Sequence, residues 1–204
     1  YDNYEHNRDF GQDVIIVHWH PEAEFLYVRE RAMLVRVDDE VIRVEPGEVV
    51  YIPRGAIHSA EAPDNGVVRY DAVVFDLEMI ASSTLDGSQV NVVHPILNHT
   101  RRLPIHLTAS TKRLTTVLAE LEEIRTAYFV RSPGRELLIR GALCKVFALL
   151  FEAGDPVPQR KRDEGRYWDR LKPVIRHIHD HFSEELHLDQ LSAVANMSKF
   201  HFCR

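Results

Sequence analysis

The sequence predicts an α+β fold: an antiparallel β-barrel or sandwich over residues 1–108, two antiparallel helices over 109–153, a linker over 154–166, and part of an all-α domain over 167–204. Three observations predict it. Short runs rich in β-branched and aromatic residues recur about every ten positions between Val14 and Phe75, with turn residues and no helix between them. From Leu114 onward the apolar spacing changes to threes and fours, the period of a helix. Finally, 204 residues with 45% hydrophobic and 27% charged side chains can bury a core without disulfides, which excludes a disordered, collagen-like or disulfide-scaffold chain.

Taken in order, residues 14–19 and 25–29 read as strands flanking Pro21, and 32–37 joins 41–44 through Asp38-Asp39, a hairpin signal. Pro46-Gly47 turns the chain into a strand at 49–52. Pro53-Arg54-Gly55 makes the next turn, and Pro63-Asp64-Asn65-Gly66 precedes a strand at 67–75. After an irregular stretch to about Thr108, a helix over 110–129 carries Leu114, Val117, Leu118, Leu121, Ile124 and Tyr128 on one face, with Ser110 as its N-cap. Ser132-Pro133-Gly134 ends it. The helix over 135–153 is apolar around much of its circumference, at Leu137, Leu138, Leu143, Val146, Phe147, Leu150 and Phe151. This pair closes the barrel's core and offers further apolar surface for a homodimer interface. Residues 154–165, with Pro156, Pro158 and a run of charges, have the composition of a linker. Residues 167–182 then read as a helix and 188–195 as a second, shorter one. Asn196-Met197 turns the chain, and Ser198 caps a third helix, the layout of a helix-turn-helix.

The net charge of −6 is unevenly distributed. Residues 1–154 carry −7 and residues 155–204 carry +1, with Arg160-Lys161-Arg162 opening the second part, so the two parts suit different partners. Two cysteines far apart, Cys144 and Cys203, fit a reducing, cytoplasmic setting. Lys145 interrupts the best apolar stretch well short of the ~20 residues that span a membrane. The N-terminus lacks the apolar core of a signal peptide, and its first residue is not Met, which implies preceding residues.

The most chemically pointed segment is His18-Trp19-His20-Pro21-Glu22-Ala23-Glu24. On a strand, residues two apart share a face, so His18 and His20 are expected to project together into the barrel. His58 lies at a turn after the strand expected to close onto this one. Imidazoles with a carboxylate suit a divalent transition metal, and the same groups suit hydrogen bonds to a small ligand. Arg36, Tyr51 and Tyr70 are further candidate ligand contacts. His177, His179 and His181 lie on a predicted helix, where His177 and His181 fall one turn apart, a spacing that either pinches a metal or leaves both in solvent.

Gly47-Glu-Val-Val-Tyr-Ile-Pro53-Arg-Gly55-Ala-Ile-His58 resembles the second cupin motif, and His18, His20 and Glu24 resemble the metal-binding triplet of the first. Arg31 stands where that first motif has Gly, and Gly11 is one place out of register. The resemblance implies a cupin barrel in which His18, His20, Glu24 and His58 hold Zn, Ni, Fe or Mn. It also implies an alternative function, that of a metal-dependent dioxygenase or sugar isomerase. The run from Leu186 to Arg204 resembles the first helix-turn-helix of AraC/XylS-type transcription regulators, with Ser192 where Ala is usual. This second resemblance implies a regulator and not an enzyme: a barrel that binds a sugar or related metabolite, a helical dimerisation pair, and DNA contacts from Ser198, Lys199, Phe200, Cys203 and Arg204. Arginine at such a helix suits guanine. The family's second helix-turn-helix has no counterpart in the sequence, which is therefore expected to be cut within the first and to need its full-length form to bind an operator.

Overall fold

A computed structural model describes residues 2–8, 13–63, 66–98, 100–130, 132–153, 155–156 and 159–203. Of these, residues 2–8, 13, 66–67, 155–156 and 159–168 are described by their backbone alone. The turn at Asp64-Asn65, Gly11, Gly154, Pro158 and Arg204 lie outside the described residues, as do the side chains of Arg160, Lys161 and Arg162.

The strands are β1 (Asp2–Arg8), β2 (Asp13–His18), β3 (Ala23–Glu30), β4 (Met33–Val37), β5 (Glu40–Val44), β6 (Val49–Ile52), β7 (His58–Glu61) and β8 (Gly66–Phe75). A short helix α1 (His94–Leu97) and the two-residue strands β9 (Arg101–Arg102) and β10 (His106–Leu107) follow. Then come α2 (Leu114–Phe129), α3 (Arg135–Ala153), β11 (Asp155–Pro156), α4 (Gln159–Asp180), α5 (Leu188–Val194) and α6 (Lys199–Phe202). Two antiparallel sheets, ordered β1-β8-β3-β6-β10 and β2-β7-β4-β5, face each other, and a small third sheet pairs β11 with β9. The expected antiparallel α+β architecture is observed.

The five-stranded sheet is buried on both faces, so the molecule has three layers. Leu26, Val28, Val50, Ile52, Val68, Tyr70 and Ala72 point to the other sheet, where they meet Val14, Met33, Val35, Val37, Val44 and Ala60. The alternate positions Ala23, Phe25, Val49, Tyr51, Val73 and Phe75 point away, onto α2 and α3. This explains why β6 reads as the unbroken apolar run Val-Val-Tyr-Ile rather than as an alternation: all four residues are buried. Phe147 of α3 stands in the second layer, its ring 6.0 Å from Phe25, 5.7 Å from Tyr51 and 5.8 Å from Phe75. Arg29 of β3 fastens the same junction. It donates to the buried Asp71 of β8 and, at 3.1 Å, to Glu122 of α2.

Several boundaries differ from expectation for identifiable reasons. β1 and β7 are additional strands, and His58 opens β7 instead of lying in a turn. α2 starts at Leu114, so Ser110 is not its N-cap. The hydroxyls of that segment hold a turn of their own, the Thr108 N–H donating to Thr111 Oγ1 at 2.9 Å, and Arg113 precedes the helix at φ 65°. The stretch read as linker is partly ordered, since Asp155–Pro156 pairs with Arg101–Arg102 and α4 begins at Gln159. α3 buries Ala142, Leu143, Val146, Phe147 and Leu150 while its first turn leaves Leu137 74% exposed. With Leu138, Tyr128, Phe129 and Val130, also exposed, Leu137 leaves the end of the helical pair apolar.

Candidate metal and effector site

β2 and β7 pair so that His18 lies opposite His58. The β2 register shifts twice on the way to His18, between Asp13 and Ile15 and again between Ile15 and His18, and such irregularities re-aim a side chain at a strand end. His20 arrives by a different route from the expected one, because the strand ends at His18 and His20 sits in the following loop. The Gly55 N–H donates to the His20 carbonyl at 2.9 Å and holds that loop in place. Gly55 has φ 73°, a backbone state that glycine occupies without strain, which is what the Pro-Arg-Gly turn requires there. Glu24 follows from strand alternation: Ala23 and Phe25 face the helices, so Glu24 faces the barrel interior.

The three imidazoles converge. Ring centroids lie 4.2 Å (His18 to His58), 4.9 Å (His20 to His58) and 5.6 Å (His18 to His20) apart, and one ring nitrogen of each lies within 4.8 Å of the other two. Each Nδ1 is within reach of a backbone carbonyl two residues away: Ile16 at 2.9 Å, Glu22 at 3.2 Å and Ala56 at 3.0 Å. A carbonyl oxygen only accepts, so each Nδ1 carries the proton and each Nε2 is the atom left for a ligand. Glu24 Oε2 lies 3.2 Å from His20 Nε2 and 3.3 Å from His58 Nε2. His58 Nε2 is buried and makes no hydrogen bond.

Electrostatics follow from that geometry. Burial pushes the Glu24 carboxyl up, but the His20 hydrogen bond and the His58 imidazole outweigh it and hold it at about 2. The Glu24 hydrogen bond raises His20 above the ordinary histidine value, against the effect of its burial. Burial, and then the neighbouring His58, lower His18. Glu24 therefore favours the charged form of His20, while burial favours the neutral form of His18. Three preset Nε2 atoms, one of them buried and making no hydrogen bond, and a carboxylate oxygen form a donor set that fits a divalent transition metal.

The remaining sequence candidates separate by face. Tyr70 is buried in the barrel interior. Tyr51 is not: its ring packs on Phe25 and Phe147 between sheet and helices. Arg36 is exposed on β4 between the buried Val35 and Val37, so it faces solvent. Both expectations are corrected by strand alternation, which sends neighbouring residues to opposite faces. The interior beneath Glu24 is filled with aliphatic side chains, while Val74, opposite Glu24 in the register, is 44% exposed. The site therefore opens at the barrel mouth. Sequence reasoning missed Trp19, the residue between two of the converging imidazoles; an aromatic flanked by histidines was the available signal. Lys172 and Arg176 of α4, which approach its ring, carried no such signal.

At the other end of the chain, α5 and α6 are joined through Asn196, whose φ of 51° is a left-handed conformation that asparagine tolerates. Ser198 caps α6, accepting from the His201 N–H at 3.4 Å. Ser192 and Ala195 are buried against the turn, Met197 N–H donating to the Ser192 carbonyl at 3.0 Å. Lys199 pairs with Asp189 at 2.8 Å, Phe200 and Cys203 are exposed, and Phe202 is half-buried. His181 Nδ1 donates to the His177 carbonyl at 2.9 Å.

The cupin-domain family model matches residues 9–75. In an alignment of 200 positions that covers 93% of this chain, the sequence is 20% identical to an uncharacterized HTH-type transcriptional regulator, YdeC of Bacillus subtilis. The match covers 64% of that protein, so the chain spans under two thirds of the curated relative it matches. Among solved structures, a Thermus thermophilus protein is 27% identical, with 37% of this chain and 70% of that one covered and a TM-score of 0.34. An RmlC-like cupin with a double-stranded β-helix fold from Methanocaldococcus jannaschii is 13% identical, with 36% and 66% covered and a TM-score of 0.33. The chain thus combines a segment, residues 9–75, that matches the cupin-domain family model with a similarity to a helix-turn-helix regulator that runs past that segment into the C-terminal helices.

Proposed function

We propose that the chain is the greater part of a cytoplasmic, ligand-responsive transcription regulator of the AraC/XylS type. His18, His20, Glu24 and His58 hold a divalent metal at the barrel mouth, beside which a sugar or related metabolite binds. The exposed apolar end of α2 and α3 forms the homodimer contact, and α5 and α6 are the first helix-turn-helix, with Ser198, Lys199, Phe200, Cys203 and Arg204 toward DNA in the full-length protein. One observation carries the reading: the resemblance to a regulator extends over 93% of the chain, not only over its barrel. When bound, the metal supplies Lewis acidity and open positions for the oxygen atoms of a ligand. The protein's part is to present three oriented imidazoles, keep Glu24 ionised and shield both with the apolar interior.

A thermal-shift screen of the chain against sugars, sugar acids and divalent metals tests this. An effector at 100 times its dissociation constant adds about 2.7 kcal/mol of stability, and H18A/H20A is expected to abolish the shift. A shift that survives in that variant refutes the site. The alternative, a metal-dependent cupin enzyme, is favoured by the three-histidine, one-carboxylate donor set alone; turnover of a sugar or an oxygen-dependent substrate by the metal-loaded chain would select it.

A further inference from the structure

α4 docks beside the metal-site residues, and two barrel residues it approaches, Trp19 and Gly55, are one covalent and one hydrogen-bonded link from His20. The Trp19 ring lies under two cations one helical turn apart, with Lys172 Nζ 5.1 Å and Arg176 Cζ 5.4 Å from its centroid. Trp19 is bonded through the backbone to both His18 and His20. Lys172 Nζ also sits over Gly55, close enough that a Cβ there would lie 3.2 Å from it, and the Gly55 N–H holds the His20 carbonyl. Trp19, Lys172 and Arg176, with Asp169, His177 and Val194, line a cleft of about 470 Å³ between the barrel and the C-terminal helices. Pro173 lies inside α4 at this point, where it removes one backbone hydrogen bond and makes the helix easier to bend.

We propose that Trp19, clamped by Lys172 and Arg176, is the transmitter by which metal occupancy of His18, His20 and His58 sets the docking of α4, and so the placement of the helix-turn-helix that α4 leads into. The inference rests on the metal-site reading above and adds its route of communication. Seating a metal between His18, His20 and His58 re-seats the loop between His18 and Pro21, and the indole moves with it. Cation–π contacts are directional and individually modest, so a small displacement of the ring weakens both together.

The test is amide hydrogen exchange of residues 172–180 in the 204-residue chain, with and without Zn²⁺, alongside calorimetric measurement of Zn²⁺ binding. Loading is expected to change exchange there threefold or more. H18A/H20A is expected to remove both binding and the change. K172M/R176M, which alters only one face of α4, is expected to keep Zn²⁺ affinity within twofold and lose the change, and Trp19→Leu to lose the change as well. Zn²⁺ bound by the parent with exchange at 172–180 unmoved overturns the transmitter and leaves the metal site standing. A change that persists in K172M/R176M, or in H18A/H20A, overturns it as well. Absence of Zn²⁺ binding by the parent removes the metal site and the transmitter together.

Discussion

The chain contains two histidine trios, and they behave differently. His177, His179 and His181 sit within one helix, where His181 spends its Nδ1 on the carbonyl of His177 and the two rings lie 4.2 Å apart. His18, His20 and His58 come from a strand end, a loop and a second strand, and each is oriented by a carbonyl two residues away. Among the described residues, only the second trio brings three potential ligand atoms together. A helix fixes spacing along one face but aims its side chains outward, whereas separate elements meeting at a barrel mouth aim theirs at a common point. Convergence and the outer hydrogen bonds, rather than the count of histidines, make a ligand set.

The strongest way to break this contrast is to remove imidazoles from each trio in turn. H18A/H20A is expected to weaken Zn²⁺ binding at least about 100-fold, more than the loss of an outer-shell partner costs, while H177A/H181A leaves it within about twofold. Calorimetry reads both. Next in size is packing. Phe147→Ala, which empties the aromatic junction behind the five-stranded sheet, is expected to cost about 3–5 kcal/mol in urea unfolding. Phe200→Ala on the 67% exposed ring of α6 is expected to cost within about 0.5 kcal/mol.

Glu24→Gln sharpens the electrostatics. It keeps the shape and removes the charge that raises His20, so the His20 titration followed by NMR is expected to move down toward the ordinary value. The sign of the pH dependence follows. A histidine raised in the folded state stabilises the metal-free chain fully below its unfolded pKa, and that increment is lost as pH rises through the folded value. Metal uptake runs the opposite way, strengthening over the same rise because the competing proton leaves. In Glu24→Gln both trends shift to lower pH. The smallest expected effect concerns the turn between β3 and β4. Arg31, which stands where the cupin pattern has glycine, adopts φ 59°. A non-glycine residue there costs roughly 1–2 kcal/mol, partly offset by the entropy a glycine would lose, so Arg31→Gly is expected to stabilise by about 0.5–1 kcal/mol in the same unfolding assay.

Much of this was legible in the chain itself. The strand at 49–52 and the helix at 135–153 were readable to the residue, since turn chemistry and apolar period fix such elements locally. Glu24 could be placed on the face opposite Phe25 once its strand was recognised, and packing of Ala23 and Phe25 on the helices decided that this face is the barrel interior. His20 could not be assigned by the same rule, because strand alternation stops at His18, and only the Gly55 hydrogen bond returns it to the site. Tyr51 was misassigned because the sequence shows that neighbours on a strand face opposite ways, but not which face meets the other sheet when both sides are covered; Arg36 lies on β4, where alternation with the buried Val35 and Val37 sends it outward.

The sequence by itself therefore determined the order of elements, their type, and the residue kinds able to bind a metal, because these depend on local backbone preference and side-chain chemistry. Tertiary structure alone decided which imidazoles meet, which tyrosine is packing and which is interior, and that Trp19 lies beneath Lys172 and Arg176. Those outcomes depend on the pairing of segments distant in the chain, for which no local preference exists and only the packed fold selects a partner.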